Sequence, residues 1–169
     1  MTSPSSATLN LPSLAATRQA GRAVAPALPP RAIVLCLGPL GAGKTTLIKS
    51  LCEGLGIPPQ TVISPTYTLV NIYPGPPAVY HVDFFRVDSP EALLDMDRGD
   101  WLNPDGPTFI EWPQAALPWL EGEPCLRAEL TPTGADSRTL SLSSAAKPYS
   151  AVFDVLERLQ SRRAARATA

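Results

Sequence analysis

The chain has 169 residues, with 14 Lys+Arg against 15 Asp+Glu, a net charge of −1 and a pI near 5.8. That length suits one folded domain with a core of its own. With 44% hydrophobic and 17% charged residues, a disordered chain is excluded, and the near-balanced charge excludes a general polyanion binder.

In chain order, residues 1–11 read as a loose tail. Ser13 to Ala25 is Ala-rich and reads as a helix capped by Ser13. A Pro-rich connector, 26–31, leads to Ala32–Leu37, an apolar run of the kind found in buried parallel strands. Thr45–Leu55 reads as a helix stopped by Gly54 and Gly56. Thr66–Tyr73 and Ala78–Phe85 are β-rich runs separated by the turn Pro74-Gly75-Pro76-Pro77. Ser89-Pro90-Glu91 has the form of a helix start leading into Ala92–Met96. Thr108–Glu111 is a short apolar strand. Leu126–Thr131 and Arg138–Ser143 read as an antiparallel hairpin, and Tyr149–Leu159 as a last helix. Residues 161–169 read as a basic tail. No stretch of about 18 apolar residues exists, so no membrane span and no membrane partner is expected. The N-terminus lacks the basic start and apolar core of a signal peptide. Cys36, Cys52 and Cys125 are odd in number and form no C-x-x-C, which fits reduced core thiols in a cytoplasmic protein.

The chemistry concentrates at Gly38-Pro39-Leu40-Gly41-Ala42-Gly43-Lys44-Thr45, a full G-x-x-x-x-G-K-[ST] match between an apolar strand and a helix. Glycines let backbone N–H groups wrap a phosphate, and the following helix aims its positive end at the same anion. Lys44 supplies a charge for the β/γ-phosphates, and the Thr45 hydroxyl can ligate Mg²⁺. Guanine-specific relatives read the base with a late Asn-Lys-x-Asp loop. The three lysines here, Lys44, Lys49 and Lys147, build none, so ATP is favoured. Such a site also needs an acid at the end of a neighbouring strand. Glu111 and Asp83 both qualify. His81 lies on the same strand face as Asp83. A buried structural histidine is its plainer reading, with a proton role as the alternative.

Four ordered segments carry a resemblance. Leu40-Gly41-Ala42-Gly43-Lys44-Thr45-Thr46, Ser64-Pro65-Thr66-Tyr67-Thr68-Leu69-Val70-Asn71, Tyr80-His81-Val82-Asp83-Phe84-Phe85-Arg86 and Ile110-Glu111-Trp112-Pro113-Gln114 resemble the bacterial ATPases of tRNA threonylcarbamoyladenosine (t6A) biosynthesis, the TsaE/YjeE type. The resemblance covers roughly residues 13–143. It departs at Pro39, Leu47 and Phe84-Phe85, where that family usually has Asp, Phe and Leu-Tyr, and in a longer turn before Arg138.

The resemblance implies that Gly41, Ala42, Gly43, Lys44, Thr45 and Thr46 hold the phosphates and that Thr45 and Glu111 bind Mg²⁺. It implies Asp83 beside the γ-phosphate, with Asp83 and Lys44 as the catalytic pair, and a switch-like loop at Ser64–Thr68. Leu14 and Thr17 would stand beside the adenine, and Arg138 would reach the nucleotide from the hairpin. The implied role is hydrolysis of ATP in service of a partner transferase complex that puts threonylcarbamoyl on the adenosine beside the tRNA anticodon. Contact with tRNA would then run through that complex.

The alternative is a small-molecule P-loop kinase. A nucleotide-responsive switch differs from the ATPase only in mechanism. Kinases of this size usually carry an arginine-rich lid, whereas residues 83–105 hold seven acids against Arg86 and Arg98. The fold expected is a three-layer α/β P-loop domain. Its central sheet should be mostly parallel, with antiparallel edge strands from the 126–143 hairpin and the 67–73 region.

Overall fold

The computed structural model describes residues 5–167. Strand β1 is Ser5–Leu11 and helix α1 is Leu14–Val24. Strand β2 is Ile33–Leu37 and helix α2 is Lys44–Gly54. Strands β3, Val70–Tyr73, β4, Val79–Asp83, and β5, Thr108–Glu111, follow, with a single helical turn α3, Arg98–Trp101, between β4 and β5. Strands β6, Cys125–Pro132, and β7, Arg138–Ser144, form the late hairpin, and helix α4 is Ser150–Ala167.

One seven-stranded sheet runs β1-β7-β6-β2-β5-β4-β3. The pairs β6/β2, β2/β5 and β5/β4 are parallel, and β1/β7, β7/β6 and β3/β4 are antiparallel. This is the expected P-loop architecture, with one change: the outer antiparallel strand beyond the hairpin is β1.

The strand period of two sorts the core onto two faces. Val34, Cys36 and Phe109 join the cluster that contains Ala20 and Val24 of α1, Leu47 and Leu51 of α2, and Val152 and Leu156 of α4. Their neighbours Ile33, Leu35 and Ile110 pack on the other face with Phe84, Leu93, Trp101 and Leu120. That second layer is made of α3 and the 3₁₀ turns Pro90–Leu93 and Pro113–Leu120 rather than of full helices. Pro118 lies inside the second of these turns and removes a donor from an α-helical ladder there, whereas Pro90 and Pro113 stand in the first turn, where a helix needs no donor.

The tail reading fails for the described part of each end. Residues 5–11 pair with β7 along their whole length, from Ser5↔Ser144 to Leu11↔Arg138. The alternation Leu9-Asn10-Leu11 drives this, because both leucines are buried while Asn10 faces solvent. Residues 161–167 continue α4. Gln160 and Arg163 tie its distal half to the carbonyls of Thr8 and Asn10. Residues 1–4 and 168–169 lie outside the described residues.

Two expected elements are also shorter. The 66–73 run is a strand only from Val70, since Thr66–Leu69 turns and Leu69 adopts φ 64°. The Ser89 start yields a 3₁₀ turn with no cap from the Ser89 side chain. In α1, by contrast, Ser13 caps as expected, its hydroxyl accepting from Ala16 N at 3.2 Å.

Candidate nucleotide site

The parallel strands β2, β4 and β5 deliver the site at their carboxyl ends, where ligands of open α/β sheets bind. Register aligns Cys36 with Glu111, and Glu111 with Asp83. The two acids therefore stand side by side on adjacent strands. Counting by two from Phe109 and Val79 puts Glu111, His81 and Asp83 on the face that carries α2.

The loop from β2 to α2 turns through Gly38, Gly41 and Gly43 with φ values of 133°, 77° and 101°. Gly43 is the N-cap of α2 in the left-handed conformation. A Cβ on Gly38 would meet Leu130 O at 2.4 Å, so glycine is required there for packing as well as for its φ.

Around this loop lies a cavity of about 360 Å³ lined by Leu40, Gly41, Gly43, Lys44, Thr45, Thr46, Ser64, Thr66, Asp83, Phe85, Glu111 and Trp112. Lys44 is buried and folds back on the loop. Its Nζ donates to Gly38 O and Pro39 O, both at 2.9 Å, and lies 3.9 Å from the centroid of the Trp112 ring. Burial pulls its pKa below the ordinary lysine value, opposed chiefly by Glu111. Thr45 Oγ1 donates to Glu111 Oε1 at 2.8 Å, and the same oxygen is 2.9 Å from His81 Nε2. Asp83 accepts from Phe85 N through Oδ1 at 2.9 Å, and from Ser64 and Thr66 through Oδ2 at 3.1 and 2.6 Å. The 64–66 segment is thereby fastened to one of the two acids.

Arg138 reaches the phosphate loop in spite of its longer turn. Its Nε would lie 3.6 Å from a Cβ on Gly43. The side chain is buried, and Nε has no hydrogen-bond partner, while Nη1 donates to Asp136 O at 3.3 Å. A buried guanidinium nitrogen without an acceptor, beside glycines shaped for an anion, is suited to a phosphate or other polar ligand atom.

Leu14 and Thr17 lie on α1. Neither lines the cavity. Thr17 is fully buried with its hydroxyl on Ser13 O at 3.4 Å, and Leu14 is 40% exposed on α1. The Thr17-x-x-x-Gly21 spacing serves packing at its second position, where a Cβ on Gly21 would fall 2.4 Å from Ser50 Cβ on α2.

Sequence reasoning missed Trp112, Phe85 and Tyr73. Trp112 sits at φ 54° just after Glu111, with its ring 5.0 Å from that of Phe85, so the two aromatics wall the cavity. Nothing in the sequence marks a strand-end tryptophan as a lysine's neighbour.

The donor set fits a hard cation. Hydroxyl and carboxylate oxygens meet at Thr45 and Glu111, and Mg²⁺ usually completes such a pair with phosphate oxygens and water. Among the described residues, no group of three or more His, Cys, Asp or Glu is arranged to hold a metal by itself.

Sheet order, phosphate loop and strand-end acids define the class: a P-loop nucleotide-binding α/β protein. A crystal structure of YdiB from Bacillus subtilis shares the fold, with a TM-score of 0.75 over 95% of this chain and 99% of that one at 23% sequence identity. Residues 11–140 match the family described as threonylcarbamoyl adenosine biosynthesis protein TsaE, and the chain belongs to that family. The tRNA threonylcarbamoyladenosine biosynthesis protein TsaE of Synechocystis is 41% identical over 117 residues, covering 67% of this chain and 73% of that protein. The protein of the same name from Bacillus subtilis is 32% identical over 122 residues, covering 72% and 75%.

Proposed function

We propose that this chain is a Mg²⁺-dependent ATPase that serves formation of the threonylcarbamoyl group on the adenosine beside the tRNA anticodon, working on a partner transferase complex in the cytoplasm. The observation that carries the reading is the joined set Lys44, Thr45 and Glu111 around a complete phosphate loop in a member of the TsaE family. No helix among the described residues is long and apolar enough to cross a membrane.

Each side chain has a defined task. Backbone N–H groups of 41–46 cradle the phosphates, and Lys44 exchanges two loop carbonyls for phosphate oxygens. Thr45 and Glu111 would hold Mg²⁺, which neutralises charge developing on the β- and γ-oxygens when bound. Arg138 offers its unpaired Nε to the nucleotide. Asp83 orients or deprotonates the attacking water, and while Ser64 and Thr66 bond to it they occupy Oδ2, with Phe85 N on Oδ1. Release of the 64–66 segment would free Oδ2 for that water. Arg86 faces Tyr67, 5.4 Å from its ring centroid, and supplies no charge to the cavity. Arg138, beside Gly43, is the arginine that could act on the nucleotide in cis; an arginine on the transferring phosphoryl group is worth roughly 10³–10⁵ in rate. The isolated chain should be slow because Ser64 and Thr66 engage Asp83, and a partner contacting the 64–68 loop, the acidic 83–105 segment or both should accelerate it.

The test is ATP hydrolysis by the purified chain with and without the transferase proteins. Stimulation by the complex is expected. Fast turnover by the chain alone, at about 1–100 s⁻¹ as in kinases, with phosphate passed to a small acceptor, would establish the kinase instead.

A further inference from the structure

Glu111 is held from behind by groups that no task above uses. His81 is fully buried. Its Nε2 donates to Glu111 Oε1 at 2.9 Å, and its Nδ1 lies 3.2 Å from the Tyr73 hydroxyl. Tyr73 is buried in turn, and its hydroxyl oxygen accepts from Ile63 N at 3.2 Å. The hydroxyl has one proton to give, either to Ile63 O at 2.9 Å or to His81 Nδ1. Asn71 Nδ2 also donates to Ile63 O at 3.2 Å, so that carbonyl keeps a donor whichever way the hydroxyl turns. The result is a continuous chain, Thr45–Glu111–His81–Tyr73–Ile63, from the phosphate loop to the residue before Ser64. Sheet register builds it: Asn71↔His81 and Tyr73↔Val79 bring β3 side chains beside His81, and His81↔Phe109 places the ring two residues from Glu111.

We propose that His81 and Tyr73 are positioning residues for Glu111. They fix the orientation of its carboxylate toward Thr45 and the cation, and they anchor that orientation to the Ile63 backbone. The proposal rests on the reading of Glu111 as the Mg²⁺ acid. A carboxylate that turns freely must be ordered each time a cation arrives, whereas one held by a buried imidazole is already aimed. Outer partners of metal ligands typically contribute about 10–100-fold in metal affinity or activity. Burial of its middle members, Glu111, His81 and Tyr73, also explains why a histidine, with two ring nitrogens facing two different elements, occupies the position.

The experiment is a Mg²⁺ titration of ATP binding, read by Trp112 fluorescence and repeated in EDTA, on the full chain and on His81→Phe, His81→Gln, Tyr73→Phe and Glu111→Ala. His81→Phe should raise the Mg²⁺ concentration at half-saturation by about 10–100-fold and leave metal-free ATP binding unchanged. His81→Gln, which keeps a donor for Glu111, should recover most of that loss. Tyr73→Phe should shift it in the same direction but by less than His81→Phe, since Tyr73 acts on Glu111 only through His81, and it keeps the test open if His81→Phe fails to fold. An unchanged Mg²⁺ midpoint in the His81 and Tyr73 variants, with Glu111→Ala shifted, overturns the proposal. An unchanged midpoint in Glu111→Ala overturns the metal reading itself.

Discussion

Lys44 is committed before any nucleotide arrives, through two carbonyls and an indole face. Burial lowers its pKa, so folding alone favours the neutral amine, and that part of stability grows as pH rises from the folded pKa toward the usual 10.5. A bound phosphate has the opposite preference. ATP affinity should therefore fall as pH rises through the lowered Lys44 pKa, with the loss beginning below 10.5; binding isotherms at a series of alkaline pH values check it. Lys44→Ala should remove this dependence together with roughly 10²–10⁴-fold of affinity, the worth of about two charge-assisted hydrogen bonds. The acids should fail in different ways. Glu111→Ala should lose Mg²⁺-dependent affinity. Asp83→Asn should bind ATP nearly as before while hydrolysis drops by about 10²–10⁴. Equal binding losses in both would mean that both acids hold the metal.

At the scale of elements, the site depends on how closely α1 approaches α2. Gly21 makes that approach feasible, since any Cβ would collide with Ser50 Cβ at 2.4 Å, and Leu47 O and Leu51 N are each 3.2 Å away. Gly21→Ala gains up to about 1 kcal/mol of helix propensity, yet overpacking costs about 1–3 kcal/mol. The collision is with a Cβ and with backbone, neither of which can turn aside, so net destabilisation is expected. Thermal unfolding would show a lowered Tm, and ATP affinity should weaken as α2 and its loop shift. An unchanged Tm would mean that the helices separate without cost. The same scale explains the thiols. Cys36 and Cys52 are buried and Cys125 partly so, and burial pushes the Cys52 thiol up to about 12 and the Cys125 thiol to about 11. At neutral pH all three favour the thiol form.

Across the whole molecule, residues 5–29 contribute side chains to the core. Leu9, Leu11, Ala20 and Val24 are buried in the cluster that also holds α2 and α4. Full burial of one Leu or Val is worth about 1.5–3 kcal/mol, and a domain is stable by only about 5–15 kcal/mol. A chain beginning at Pro30 should therefore fail to fold, rather than fold and lose only its grip on the base. Circular dichroism and a melting curve decide this. A cooperative transition in the truncated chain would show that β1 and α1 are dispensable for folding.

Local pattern determined much of this protein. The apolar run at 32–37, the glycines and Lys44-Thr45 fix a strand, a phosphate loop and a helix within one stretch of chain. Ser13 and its oxygen fix the start of α1, and the strand ends at Asp83 and Glu111 mark the acids. These are short-range matters of periodicity, capping and φ, so they are legible residue by residue. Tertiary structure decided what depends on pairing between distant segments. Ser5–Leu11 becomes a strand because β7 offers it an open edge and the core accepts Leu9 and Leu11. Thr66–Leu69 leaves the sheet where the Thr66 hydroxyl bonds to Asp83 and Leu69 turns at φ 64°. Trp112 covers Lys44, and Arg138 reaches Gly43 from the far hairpin. His81 joins Glu111 to Tyr73 only because β3, β4 and β5 align in one register, and register belongs to the sheet, not to any one strand.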